Sequence, residues 1–380
     1  MALNQVGLER LNTATTKKIG TSKNIIINGA FTVQQRMTSA TTGGQNLTGI
    51  KTVDRFSLDF SGTDNSPTQI PVDVAAGTTP YTSGFRRCFK IINGNQTSGA
   101  GAGDFVTITY KTEAQDLANS GWNYLSSSSY ITLSFWVKAS VAQNYYFRFQ
   151  TKDGSSYNYP METGSLSADT WTKITKTIPG NSNLQIDNDN GEGPKIEWSM
   201  FKGTDHTASG VTLNQWAAYA DGTHTPDQTS TWYTTNDATF ELTGVQLEVG
   251  SVATDFEHTA YADELLRCQR YFWQSNGQLA GTQPADMIHG DFINKSTTVA
   301  DCSYRYAVRM RAAPTVATSG QFKFDSQATV NLTSLVAINN TEVCSQLRGG
   351  TDGSLNASAG IGYSLLTSSN TAFLSFSAEL

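Results

Sequence analysis

What most constrains this chain is an alternation of apolar and polar residues at period two, renewed again and again along it. Phe56, Leu58 and Phe60; Phe85, Phe89 and Ile91; Ile131, Leu133, Phe135 and Val137; Tyr145, Phe147 and Phe149; and Ile196, Trp198 and Met200 each gather large side chains on one side of an extended segment. Successive side chains of a strand point to opposite faces, so each set marks a strand with one face in a core. Asn93-Gly94, Asp153-Gly154, Pro179-Gly180 and Asp221-Gly222 separate the sets as turns. So many strands without interleaved helical patterns predict an antiparallel β-sandwich, most simply a jelly roll, over residues 24–258.

The stretch 238–273 closes this domain. Its apolar residues fall on even numbers at Phe240 and Leu242 and on odd ones at Val245, Leu247 and Val249, a change of parity that predicts a β-bulge at Gly244. Tyr261, Leu265, Cys268 and Phe272 then follow at the spacing of one helical face. They predict a linking helix over 259–273, with Thr259 as its N-cap and Leu265 buried. Alternation returns in Tyr304, Tyr306, Val308 and Met310 and in Leu374, Phe376 and Ala378, so residues 274–380 read as a second, small β-sandwich. Its polar run 331–369 predicts a core that needs neighbours. Residues 1–23 hold too few apolar side chains to fold alone; they read as an attachment segment ordered by a partner, or as a frayed terminus.

Composition narrows the function. Charged residues are 15% of the chain and the formal charge is −6, which argues against a nucleic-acid binder, since that needs a basic footprint. No apolar run approaches the ~18 residues of a membrane span, and residues 1–20 lack the apolar core of a signal peptide, so synthesis and folding in the cytosol of the producer are expected. Cys88, Cys268, Cys302 and Cys344 have no CxxC or ligand spacing and read as reduced, buried thiols.

Several segments carry a resemblance. LNTATTKKIG with NIIINGAFTVQQR and TVDRF, then SFWVKAS, GVQLEVGSVATDFEH with ELLRCQRYF, and VRMRAAPTV resemble, in that order, segments of tail-fibre and related virion proteins of tailed bacteriophages, especially those of marine bacteria. NIIINGAF and FELTGVQLE also look like the first and last strands of carbohydrate-binding jelly-roll modules. The resemblance implies a virion component assembled in the host cytoplasm, a homotrimer, attachment to other virion proteins through residues 1–23, and adsorption to host-surface polysaccharide or lipopolysaccharide. It also implies that the first and last strands lie side by side. Such modules often hold a structural Ca²⁺ through carboxylates on those strands; Gly29, Ala30, Thr243 and Gly244 stand there instead, so no metal and no cofactor are expected. The acidic run 187–192 fails the EF-hand template, with Gly191 where a ligand belongs, and reads as a solvated turn.

Aromatic residues carry the recognition signal. Aromatic faces stack on the apolar faces of sugar rings while Asp and Asn bind hydroxyls. The long loop 203–237 concentrates such residues: Trp216, Tyr219, Trp232 and Tyr233 are the expected platforms, with Asp221 and Asn236 as hydroxyl partners. Each of the four aromatics taken alone is more often a packing residue or a trimer contact than a ligand platform. No nucleophile motif, HExxH or phosphate loop occurs, so no catalytic residue is assigned. Three functions follow: a non-enzymatic, glycan-binding tail fibre or receptor-binding protein; a structural head fibre, decoration or spacer protein; and a polysaccharide depolymerase, which requires carboxylates such as Glu192, Glu197, Asp205 and Asp221 to converge.

Overall fold

The structure, a computed structural model, describes residues 23–36, 44–275, 287–325, 330–352, 355, 362–367 and 372–380. The expected attachment segment lies outside these residues apart from Lys23. Among the described residues, eleven strands fall between positions 56 and 249: β1 Phe56–Ser61, β2 Thr68–Asp73, β3 Arg87–Ile92, β4 Phe105–Glu113, β5 Tyr130–Ala139, β6 Asn144–Gln150, β7 Tyr157–Ser165, β8 Thr172–Pro179, β9 Glu192–Lys202, β10 Ala217–Ala218 and β11 Thr239–Val249. They form two antiparallel sheets, one of six strands in the order β1-β4-β9-β6-β7-β10 and one of five in the order β2-β3-β11-β5-β8. This is the jelly-roll sandwich that the alternation predicts.

The alternating residues meet between the sheets. Phe56, Ile108, Phe147 and Trp198 from one sheet and Phe89, Phe135, Val137 and Leu247 from the other belong to a single buried cluster. Trp198 meets Phe135 edge-on with ring centroids 5.7 Å apart, the offset geometry that suits the ring quadrupoles.

β11 is the hinge of the sandwich. Its register against β5 shifts between Thr243 and Gln246, where Gly244 takes φ +63°. Before the bulge β11 pairs with β3 through residues 239–242. Beyond it the incoming chain lies alongside, with Ile25 N–H bonded to Leu247 O and Val245 N–H to Gly29 O, both 2.9 Å. First and last segments are therefore neighbours. At Gly29 a Cβ would stand 2.0 Å from Val245 O, so only glycine permits that approach.

The linking helix runs Tyr261–Gln269 with Ala260, not Thr259, at its N-cap. Its buried residues are Glu264 and Cys268, while Leu265 is only half-buried against Ile27, Val33 and Tyr271, and Tyr261 is exposed. The apolar stripe is thus rotated, because the Glu264 carboxylate turns inward to accept the Asn28 backbone N–H.

The second unit is antiparallel as well. Strands β13 Met287–Ser296, β14 Val299–Arg305, β16 Phe322–Asp325, β17 Val330–Asn340, β18 Cys344–Thr351 and β19 Gly362–Thr367 close into a barrel, and β12 Phe272–Gln274, β15 Thr315–Ser319 and β20 Phe373–Ser377 make a three-stranded sheet. One cluster joins them, with Phe292, Phe324, Leu347 and Leu365 meeting Leu374 and Phe376. One layer of the expected small sandwich is therefore a closed barrel. β14 ends at Arg305, short of Val308 and Met310, although Met310 is buried in the same core.

Polar contacts fix this unit to the sandwich. Glu379 accepts Arg36 Nη2 at 2.8 Å and also pairs with Arg55, whose guanidinium lies 3.5 Å from the Tyr271 ring centroid. Arg311 Nη1 donates to Asn190 O at 2.6 Å, and Asn190 Nδ2 donates back to Arg311 O at 2.6 Å. The acidic run 187–192 is thus a docking turn rather than a free one. Cys88, Cys268 and Cys302 are buried and Cys344 is half-buried, and none of the four is in a disulfide among the described residues. Among the described residues no helix is long and apolar enough to cross a membrane.

Candidate functional site

Alternation that sends Phe147, Ile196 and Trp198 into the core sends their neighbours out on the other face of the six-stranded sheet. That outer face is the floor of a cleft of about 700 Å³. Ser57 and Asp59 of β1 and Thr107 and Thr109 of β4 give it a polar strip, and Arg148 of β6 with Lys195, Glu197 and Lys202 of β9 give it a charged one. His206, Tyr219 and His224 from the loop 203–237, Phe272 and Glu379 from the second unit, and Arg36, Lys51, Arg55 and Lys111 also line it.

The charged strip follows from register. Arg148 and Glu197 are cross-strand partners, and Arg148 Nε donates to Glu197 Oε1 at 2.9 Å while Nη2 donates to Oε2 at 3.1 Å. Lys202 also pairs with Glu197, and Lys195 Nζ stands 3.6 Å from its other oxygen. Three cations thus share one carboxylate. Burial raises the Glu197 pKa, but Arg148 and Lys202 outweigh it and hold the carboxyl well below its usual range. Burial lowers Lys202 to about 8, with Arg148 and Lys195 reinforcing and Glu197 opposing.

A chain of rings lies over this floor. Lys202 Nζ is 2.9 Å from His224 Nδ1. An ammonium only donates, so Nδ1 accepts and the ring proton sits on Nε2, which donates to the Tyr219 hydroxyl at 3.0 Å. Tyr219 in turn donates to Asp221. Burial, together with Lys202 and Arg148, drives the His224 pKa down to about 2 and keeps the ring neutral. His206 stacks on His224 and His224 on Tyr219, with centroids 5.5 and 5.3 Å apart. The Arg148 guanidinium lies 5.6 Å from the Tyr219 centroid. Arg148 is 1% exposed, and its Nη1 has no hydrogen-bond partner among the described residues.

The residues expected from sequence divide. Tyr219 lines the cleft, and Asp221, exposed, holds its hydroxyl. Trp216 is half-buried, its indole N–H bonded to Pro179 O at 2.7 Å and its ring 5.0 Å from Tyr159, so it is a rim packing residue. Trp232 and Tyr233 correct the expectation: both are 0% exposed and belong to the sandwich core. The helical turn Thr231–Thr234 folds back on the sheet. There the Trp232 indole N–H donates to Thr239 O at 3.1 Å and the Tyr233 ring packs on Phe201 with centroids 4.7 Å apart, so neither can offer a face to a ligand. Asn236 is exposed, bonded to Asp237, and does not line the cleft.

Arg148, Lys195 and Lys202 were not candidates in the sequence, although the signal was present. Arg148 and Lys195 are charges on the outward parity of otherwise apolar strands, in the runs YYFRFQ and KIEWSM, whereas Lys202 shares the parity of Ile196 and Trp198 and reaches the outer face only past the register shift of β9 against β4 at Ser199–Phe201. Parity tells that Arg148 and Lys195 face outward; only the strand order and the register shift in β9 tell that all three meet.

No known family profile matches the chain, and no curated protein sequence does. Among solved structures, the enzymatically active domain of a tailspike protein of bacteriophage CBA120 aligns over 60% of this chain at 10% identity and a TM-score of 0.31, and the chain spans only 22% of that one. A family 11 carbohydrate-binding module from Clostridium thermocellum, solved with a β-1,3-1,4-mixed-linked tetrasaccharide, aligns over 55% of this chain and 95% of its own at 11% identity and a TM-score of 0.25. A family 61 carbohydrate-binding module in complex with β-1,4-galactotriose aligns over 61% of this chain and all of its own at 8% identity and a TM-score of 0.26. Likenesses this distant bear on neither ligand nor activity.

Proposed function

We propose that the chain is a non-enzymatic tail-fibre or receptor-binding component of a phage particle, assembled in the host cytoplasm as a homotrimer, and that it adsorbs to a host-surface glycan through the cleft on the six-stranded sheet. The observation that carries the binding role is the cleft itself: about 700 Å³ floored by hydroxyl, carboxylate and cationic side chains, with the stacked Tyr219 and His224 rings at its wall. Hydroxyl-rich ligands need that mixture of directional partners and ring faces. Binding without cleavage is supported by Glu197, which is tied up by three cations and held ionised, so that it cannot serve as a proton donor to a leaving oxygen. The particle and trimer parts rest on the sequence resemblance.

Purified chain carrying Tyr219→Ala or Lys195→Ala, folded by circular dichroism, should lose most cell adsorption while Asn236→Ala keeps it. Full adsorption by both cleft variants would move the site elsewhere and favour the structural reading, in which these surfaces serve other virion proteins.

A further inference from the structure

This inference rests on the cleft being the glycan site and concerns what kind of sugar it takes. We infer that the ligand carries an anionic group, a carboxylate or sulfate on the sugar, seated over Arg148, Lys195 and Lys202 at the cleft floor.

Charge imbalance is the first ground. Of the charged side chains lining the cleft, seven are cations and three are carboxylates, in a chain whose formal charge is −6. The cations near the second unit are matched, since Arg36 and Arg55 have Glu379 and Lys111 has Glu192. Those at the centre are not. Among the described residues Glu197 is the ion-pair partner that Arg148, Lys195 and Lys202 share, and the His224 ring beside them is held neutral by burial, Lys202 and Arg148. Buried charge left uncompensated is costly and persists where a partner arrives to balance it.

The second ground is an open valence. Arg148 spends Nε and Nη2 on Glu197, while Nη1, buried on a side chain that lines the same cleft, has no hydrogen-bond partner among the described residues. Guanidinium is a planar fork suited to carboxylate and sulfate oxygens. A neutral hydroxyl could accept from Nη1, but it would leave the surplus charge in place. An anion satisfies both at once. Lys51, exposed on the lining and without an ion pair among the described residues, extends the positive field outward and steers an acidic chain toward the floor.

The test is titration calorimetry of the full chain with four probes: oligogalacturonate, its methyl ester, a sulfated galactan oligosaccharide and its desulfated form. At least one acidic probe should bind about tenfold or more tightly than its neutral counterpart, the scale of one charge-assisted hydrogen bond, and the preference should shrink with added salt. Which of the two binds separates carboxylate from sulfate. Lys195→Gln, at a half-buried position, should cut the ratio of acidic to neutral affinity severalfold; Arg148→Lys should do the same by removing the fork but keeping the charge. Equal binding of neutral and acidic probes overturns the acidic seat and leaves the glycan cleft standing. Binding of none of the four, together with full adsorption by cleft variants, overturns both.

Discussion

Lys202 reports on the cleft through two quantities that move in opposite directions. Burial, reinforced by Arg148 and Lys195 and opposed by Glu197, lowers its pKa from 10.5 to about 8, and His224 faces it as a neutral acceptor. Between those two values the unfolded chain holds a proton that the folded chain has released, so this group makes fold stability rise with pH across that window. An anion in the cleft needs the ammonium form, so affinity for an acidic oligosaccharide should fall across the same window. Denaturant midpoints and binding titrations, each taken below and above it, check the pair; affinity that climbs with pH contradicts the role given to Lys202. Trp232 makes the contrasting case. Apart from Tyr233, the residues around it from Thr229 to Asp237 are threonine, serine, asparagine and aspartate, which reads as a solvated loop, yet its side chain is fully buried. Loop composition reports average exposure and not which single ring folds back. Trp232→Ala should therefore cost ~3–5 kcal/mol of stability, as truncation of a buried aromatic does. A denaturation midpoint equal to the parent's would return Trp232 to the list of surface platforms.

At the scale of elements, what was legible obeyed a local period. The parity change in FELTGVQLEV located the bulge of β11 without any tertiary information, and the bulge lies between Thr243 and Gln246. Gly244 is required there twice over, by φ +63° and by the Phe85 ring, whose Cζ would be 2.6 Å from an added Cβ. Gly244→Ala should cost ~1–3 kcal/mol, the range of combined backbone strain and overpacking. Thermal melting checks it, and an unshifted transition would mean that β11 relaxes freely. The helix shows the limit of the same method. Its apolar spacing is real, but its orientation is set by Glu264 reaching Asn28, 236 positions away in the chain. The cleft has the same limit. Alternation puts Arg148 and Glu197 outside their strands, and nothing local says that β6 and β9 are neighbours.

For the molecule as a whole, one cleft of this kind is weak. A few polar contacts and one ring face leave a single sugar site near millimolar affinity, because ordering and desolvation offset most of what the contacts contribute. The proposed adsorption to a cell would therefore need several clefts acting together, and linking copies raises effective affinity by about 10²-fold or more with no new contact. The surface offers apolar material for such an assembly: Tyr261 and Leu266 on the linking helix, Val336 on β17 and Val343 beside it are all exposed. Exposed apolar side chains of this size are candidates for subunit contacts when they recur on adjoining elements. Light scattering on the purified chain should give three times the protomer mass at micromolar concentration. Leu266→Glu or Val336→Glu, placing a charge in that contact, should lower the mass toward the monomer and weaken cell adsorption by roughly the avidity factor of 10², while binding of a single soluble oligosaccharide stays at the parent value. A parent chain that is monomeric at these concentrations ends the trimer proposal. A variant that dissociates yet still adsorbs fully would show that the individual cleft is strong enough to act alone.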